Sequence, residues 1–406
     1  MKEKKAYSLV LLLLFFSGNP LMTFLFGKFT MVFALALTFL LIHKSIKLDK
    51  QFYKLFRLIV LGVFLLSLFQ FLELNSISFL GTINLIAKFL LGGIIIYSMK
   101  NKFTWIFFKV LSDLSVLSLI FYLLINIFEV NLPYISLGEE IKSYIFYGTS
   151  YEIHMLKNAG MFWEPGAHAG VLTLCLALNF NNLRFYWANY KNRLFAIILA
   201  LLTAQSTTGY LVGFIILFFS FFLINRKAIV LIPIFAIAAF YFYQTTSFLS
   251  DKIESQFEES QNQRIGEVSN SRFGSIIFDW YYIQKHPLIG NGLDETTRYA
   301  NHSYLFIGEK GDVIGSGNGF TGTIASLGML YMLGYLFFIW KAARVQNKVF
   351  AILVLIVVVL NLQGEQWLNF PLYLGLPFLV LRTNELKRTK KNIFFNKNNL
   401  LLSSNY

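Results

Sequence analysis

Charge is scarce in this chain: 14% of its 406 residues are charged, against about 25% in an ordinary soluble domain. Acidic residues are the scarcer kind, with 21 Asp and Glu facing 35 Lys and Arg, for a net charge of +14. The single cysteine, Cys175, lies in an apolar run. That excludes a disulfide framework and any multi-cysteine metal site. Seven prolines and 27 glycines exclude a collagen-like or linker-rich chain. Apolar side chains fill the rest: 56% of residues are hydrophobic and 18% aromatic. At about 20 apolar residues per crossing, there is material for roughly a dozen membrane crossings. A nucleic-acid-binding domain, a disordered scaffold and a secreted disulfide module are thereby excluded.

Apolar segments lie near residues 6–25, 28–43, 54–72, 80–99, 103–128, 165–181, 193–207, 209–224, 228–248, 318–340, 348–364 and 366–382. The expected architecture is an all-α polytopic membrane protein of about twelve transmembrane helices (10–12), occupying residues 1–382. With the basic start Met1-Lys2-Glu3-Lys4-Lys5 in the cytoplasm and sides alternating, every turn on the cytoplasmic side is basic and the opposite side is net acidic. The positive charge is thus an orientation signal, with both termini inside, and no nucleic-acid partner is expected. The first span lacks a small-residue cleavage site, so it is not read as a signal peptide. Asn19-Pro20 predicts a kink or short loop within it. Residues 193–224 read as a tight hairpin around Ser206-Thr207-Thr208-Gly209, its arms short enough for a re-entrant pair. Residues 383–406 read as a basic cytoplasmic tail.

Two long segments, 129–164 and 249–317, face outward and are too polar for lipid. Long loops on a rigid scaffold usually carry function. The first ends in Gly160-Met161-Phe162-Trp163-Glu164-Pro165-Gly166, with Pro165 suited to the first turn of the next helix. In the second, Arg272, Ile276, Ile277, Trp280, Tyr281 and Ile283 recur at helical spacing, and His286-Pro287-Leu288-Ile289-Gly290-Asn291-Gly292 breaks that helix into a turn.

The outward cations are Lys28, Lys142, Lys157, Lys252, Arg264, Arg272, Lys285, Arg298 and Lys310. A guanidinium binds phosphate through two parallel bonds. Arg272 is the leading catalytic candidate because it opens an aromatic helix beside the membrane; the alternative is pairing with Glu267 or lipid phosphate. Glu164, at a helix start beside Trp163, can act as a general base or simply favour the helix dipole. His168 lies one turn further and can meet it. His302 and His286 are possible bases in the outer loop, and no histidine spacing matches a metal site. Lys157, Arg264, Arg298, His286, Asn318 and Trp163 are the substrate-binding candidates. Within the spans, Lys109 and Asp113 are four apart and are read as neutralising each other. Lys88 has no local partner and either lines a cavity or snorkels. Ser206-Thr207-Thr208 can bond a sugar or satisfy a turn.

These pieces in this order resemble the bacterial O-antigen/capsule polymerase and O-antigen ligase superfamily. They are Gly160–Gly166, Gln205-Ser206-Thr207-Thr208-Gly209-Tyr210, Arg272 with Lys285–Gly292, and Ser316-Gly317-Asn318-Gly319 with Gly328. The resemblance implies a GT-C-like helical glycosyltransferase in the bacterial plasma membrane. Its substrate would be an undecaprenyl-diphosphate-linked oligosaccharide on the outer face, with no cofactor or metal. A flippase and a chain-length regulator are the implied partners. Arg272 matches the family's second-loop arginine, whereas Lys157 stands where the family often has an arginine. The ligase branch usually has a His-Asn pair where this chain reads Gly317-Asn318. That favours polymerase, while His302 upstream keeps the ligase open. A transporter and a non-catalytic assembly subunit are the competing classes. A transporter usually shows inverted repeats, and none is seen.

Overall fold

The computed structural model describes residues 1–42, 48–75, 78–137, 141–150, 157–224, 272–294 and 317–381, with Glu254 and Glu258 as isolated helical positions. The helices are α1 (Glu3–Phe15), α2 (Pro20–Phe26), α3 (Thr30–Ile42), α4 (Lys50–Leu74), α5 (Phe79–Met99), α6 (Phe103–Tyr122) and α7 (Pro165–Leu178). They continue with α8 (Leu183–Asn189), α9 (Lys191–Thr203), α10 (Thr207–Ile224), α11 (Arg272–Lys285), α12 (Gly319–Ala343), α13 (Lys348–Gly364) and α14 (Pro371–Gly375). Three short antiparallel strands, Ile135–Ser136, Ile141–Ser143 and Gly148–Ser150, pair in sequence order within the first long loop.

Among the described residues, 5 helical runs are long and apolar enough to cross a membrane: Pro20–Ile42, Lys50–Leu74, Phe79–Met99, Phe103–Ile127 and Gly319–Ala343. Pro165–Leu178, Thr207–Ser220, Lys348–Gly364 and Pro371–Leu381 are shorter apolar helices. Phe64, Leu65, Leu68, Phe69 and Leu72 of α4 stand exposed together, as do Val32, Phe39 and Leu40 of α3. Such apolar faces need an apolar solvent. The protein is mostly helical and membrane-embedded.

Several expected boundaries move. The first apolar segment divides where Asn19 breaks it. The Asn19 side chain accepts from Leu21 N–H at 2.9 Å, capping α2, and Pro20 supplies no donor of its own. The segment 366–382 opens with a short turn, Trp367–Asn369, and its helical run is confined to Pro371–Leu381, α14 continuing through a tighter turn at Leu376–Phe378. α9 has 13 residues, about 20 Å of helix, short of a full crossing. Residues 228–248, the tail and most of the second long loop lie outside the described residues.

α7 forms the centre. It is buried all round, from Ala167 to Leu178, as a helix apolar on every face should be. Asn361 of α13 donates to the Gly170 carbonyl of α7 and to the Tyr373 hydroxyl, both at 2.9 Å. Lys109 and Asp113 of α6 do not neutralise each other, because neighbouring helices offer better partners. Lys109 pairs with Glu3 of α1 at 2.6 Å, and Asp113 with Arg193 of α9 at 3.2 Å.

α12 is broken at Gly328, whose φ of 78° and ψ of 169° are open to glycine but not to a helix. The Pro287–Gly292 turn fills the break. Met329 N–H donates to the Pro287 carbonyl, and Asn291 N–H to the Ala325 carbonyl, each at 2.8 Å. Gln70 of α4 donates to the Ile289 carbonyl at 2.6 Å and the Ser326 carbonyl at 2.8 Å. Irregular backbone within a bundle survives only when its polar groups are satisfied this way.

Candidate functional site

Three chain segments that are distant in sequence bring one arginine and two glutamates together. Arg272 is the first residue of α11. Its Nη2 donates to Glu164 Oε1 at 3.2 Å and to Glu365 Oε1 at 2.8 Å, while Nη1 donates to the Gly317 carbonyl. Glu164 is held extended (φ −153°, ψ 162°) immediately before Pro165 starts α7. A residue before proline is biased to that conformation. Glu365 is likewise extended, at the end of α13, where its N–H still donates to the Asn361 carbonyl at 3.0 Å. Gly317 reaches Arg272 because its N–H donates to Ser275 Oγ of α11 at 2.9 Å.

Two glycines make room. A Cβ at Gly166 would stand 2.8 Å from Glu365 Oε1 and 3.4 Å from Glu164 Oε1. A Cβ at Gly319 would stand 2.0 Å from the Glu365 carbonyl oxygen. Both positions belong to the motifs singled out in the sequence, and the reason is close packing around Glu365.

The Glu365 side chain is 8% exposed, Glu164 24% and Arg272 33%. Burial pushes the Glu365 carboxyl well above the usual carboxylate range. Repulsion from Glu164 and the hydrogen bond to it add to the rise, and Arg272 and the Trp163 side chain oppose it. For Arg272, burial works against the charge, but Glu365 and Glu164 outweigh it and hold the guanidinium still more firmly protonated. Two carboxylates sharing one guanidinium titrate as a pair, and the pair retains a proton where an isolated glutamate would have lost it. The site therefore offers a fixed cation beside a carboxylate pair that holds one proton and has one ionised oxygen acceptor left.

An aromatic wall backs the cluster. Trp163 stacks on Phe370 at 4.8 Å and lies 5.4 Å from Trp367, which in turn stacks on Tyr373 at 4.8 Å. A Cβ at Gly18 would stand 2.5 Å from the Trp163 ring, so the indole also packs closely on the Gly18 backbone.

The other candidates separate from this group. His168 does not turn to Glu164. It is buried, its Nδ1 lies 3.2 Å from the Asn158 carbonyl and its ring stacks on Phe162. The closed loop before α7 brings that carbonyl nearer than the carboxylate. Asn318 caps α12, its side-chain oxygen accepting from Phe320 N–H and Thr321 N–H at 3.1 Å each. His286 follows the far end of α11, about 20 Å from Arg272 along the axis. Lys157 precedes Asn158, which is tied to Ser118 and Thr203, and burial lowers its ammonium from the usual lysine range. Arg264, Arg298 and His302 lie outside the described residues. α11 keeps its expected start and period but buries a different face: Gly274, Ser275, Phe278, Asp279, Tyr282 and Ile283 turn inward, and Trp280 is exposed. The small residues and Asp279, which accepts from Thr321 Oγ1, pack on α12 better than the aromatic stripe would.

Glu365 carries no motif and was not among the sequence candidates. Its signal was being a lone acid, in Gly364-Glu365-Gln366-Trp367, between two apolar runs. Among the described residues, no group of three His, Cys, Asp or Glu side chains is arranged to hold a metal ion. Compared with known proteins, the chain matches no family model and no curated sequence.

Proposed function

We propose that the chain polymerises undecaprenyl-diphosphate-linked oligosaccharide units into surface polysaccharide, as a Wzy-type member of the O-antigen polymerase/ligase superfamily. In this reading it has about twelve spans of GT-C-like arrangement and lies in the bacterial plasma membrane with cytoplasmic termini. The site faces outward. One observation carries the reading: each of the four pieces of the resemblance contributes at least one residue around Gly364 and Glu365. Glu164 and Gly166 come from the first, and Arg272 from the third. Gly317 and Gly319 come from the fourth, and from the second Thr208 packs against Gly364.

The chemistry follows from the charges. A sugar hydroxyl of the acceptor attacks the anomeric carbon of the donor glycan. The new glycosidic C–O bond forms as the bond to the lipid diphosphate breaks, and the leaving oxygen keeps the electron pair. The hydroxyl proton passes to the ionised carboxylate of the Glu164–Glu365 pair, of which Glu164 is the more exposed member, acting as general base. Arg272 stands ready for charge developing on the leaving diphosphate. A transporter is the weaker reading, because the broken helix that would mark its binding site is filled by the Pro287–Gly292 turn.

The test compares the surface-glycan ladder of a deletion strain with strains complemented by wild type, Arg272→Ala and Glu365→Gln. Loss of all rungs beyond a single repeat, with either variant cutting polymer on the order of 100-fold at normal protein level, is expected. A full-length ladder that stays on the lipid carrier would make the protein a ligase. Normal polymer in both variants would remove the site from the reaction.

A further inference from the structure

The hydroxyl side chains around the α9–α10 hairpin are not equivalent. Ser206 holds the turn: its Oγ accepts from Gly209 N–H at 3.2 Å, and its carbonyl accepts from Tyr210 N–H at 2.8 Å. The Tyr210 hydroxyl donates to the Leu202 carbonyl at 2.5 Å and closes the hairpin. Thr203 donates to the Leu199 carbonyl at 3.0 Å and accepts from Asn158 Nδ2 at 3.0 Å. Thr207 and Thr208, by contrast, form no side-chain hydrogen bond among the described residues. The turn is complete without them.

Of these two, Thr208 is the one set against the candidate site. A Cβ at Gly364 would stand 3.4 Å from Thr208 Oγ1 and 3.5 Å from its Cγ2. Gly364 directly precedes Glu365. The same turn also meets α7, where a Cβ at Gly209 would stand 2.6 Å from Ala169 Cβ. Gly166, which faces both carboxylates, lies on that face of α7 about 4.5 Å nearer the helix start. Two independent contacts, on α7 and on α13, thus bring Thr208 to within about one helical turn of the Glu164–Glu365 pair. Thr208 is half-buried, so its hydroxyl is not sealed in the core.

The backbone that brings it there is held at a cost. Gln205 takes a φ of 48°, the left-handed region that favours glycine. A residue with a side chain keeps that conformation only where its surroundings impose it. Here it turns the chain from α9 into α10.

The cluster of Arg272 and two glutamates manages charge and protons. A saccharide acceptor also presents neutral hydroxyls, and only one of them attacks. Orienting it calls for a neutral group beside the base that can both donate and accept, which a threonine hydroxyl does. Binding there breaks no hydrogen bond within the protein. We propose that Thr208 hydrogen-bonds a hydroxyl of the acceptor saccharide and so orients the attacking hydroxyl toward the Glu164–Glu365 pair. The inference rests on the polymerase reading, which supplies the acceptor.

The experiment complements the deletion strain with full-length Thr208→Val, Thr208→Ser and Arg272→Ala, and reads the glycan ladder and the thermal midpoint in detergent. Valine keeps the shape and loses the hydroxyl. Serine keeps the hydroxyl and loses the methyl that packs on Gly364. Thr208→Val should cut long polymer about tenfold with a midpoint near wild type, and Thr208→Ser should retain most of the polymer. A packing role gives the reverse order: Thr208→Ser loses polymer and midpoint while Thr208→Val keeps both. That order would overturn the proposal. So would a wild-type ladder in both variants while Arg272→Ala makes no polymer, a result that leaves the polymerase reading standing. A wild-type ladder in Arg272→Ala would instead sink that reading, and the acceptor with it.

Discussion

At the scale of single residues, the proposed chemistry turns on how Glu365 holds its proton. Its folded-state value lies above that of an exposed glutamate, chiefly through burial and then through Glu164. The neutral form therefore belongs to the stable folded state. Its contribution is fully present below the ordinary glutamate range and is lost as pH rises through the raised value. The thermal midpoint of wild-type protein in detergent should fall across that window, while Glu365→Gln should stay flat; parallel curves would refute the assignment. Gly166→Ala tests the same carboxylate by space alone. Its Cβ would stand 2.8 Å from Glu365 Oε1, so the pair must shift. Overpacking of this kind costs about 1–3 kcal/mol. We expect folded protein with polymer length sharply reduced, read on the glycan ladder.

At the scale of elements, the joint between α11 and α12 decides where Arg272 sits. The turn after α11 is hydrogen-bonded into the break of α12, and Gln70 of α4 closes it. Gln70→Leu would take the side-chain donor from the Ile289 carbonyl and one of two donors from the Ser326 carbonyl, which keeps Gly292 N–H. Each such loss costs about 1–3 kcal/mol. A lower thermal midpoint is expected, with a smaller effect from Gln70→Asn if the shorter amide still reaches one carbonyl. Gly328→Ala should be worse than either. The position needs φ of 78°, and a Cβ there would stand 2.1 Å from the Leu288 carbonyl oxygen. Failure of that variant to accumulate would be read by immunoblot of membranes.

At the scale of the whole molecule, the charge pattern sets the expected orientation. The positive-inside pattern assigns Asn189 to the cytoplasm and Gln284 to the outside, and both are exposed. The native thiol does not interfere, because Cys175 is fully buried. Gln284→Cys should react with a membrane-impermeant thiol reagent in intact cells, and Asn189→Cys only after permeabilisation. The opposite pattern would turn the molecule over and place the Arg272 cluster on the wrong face for a lipid-linked glycan exported by a flippase.

The sequence by itself determined the class of solvent and most of the apolar helices, because hydrophobic composition and helical period are local and survive without contacts. It also marked the break at Asn19-Pro20, the start of the Arg272 helix and the turn after His286, where proline, glycine and asparagine dictate backbone geometry directly. The tertiary structure alone decided which charges share a site. Glu365 has no motif and lies 93 residues from Arg272, so only folding reveals that its carboxylate completes the pair with Glu164. The partners of Lys109 and Asp113 and the buried face of α11 were decided in the same way. Spacing on one helix defines what can meet, whereas the packing of neighbouring helices selects what does.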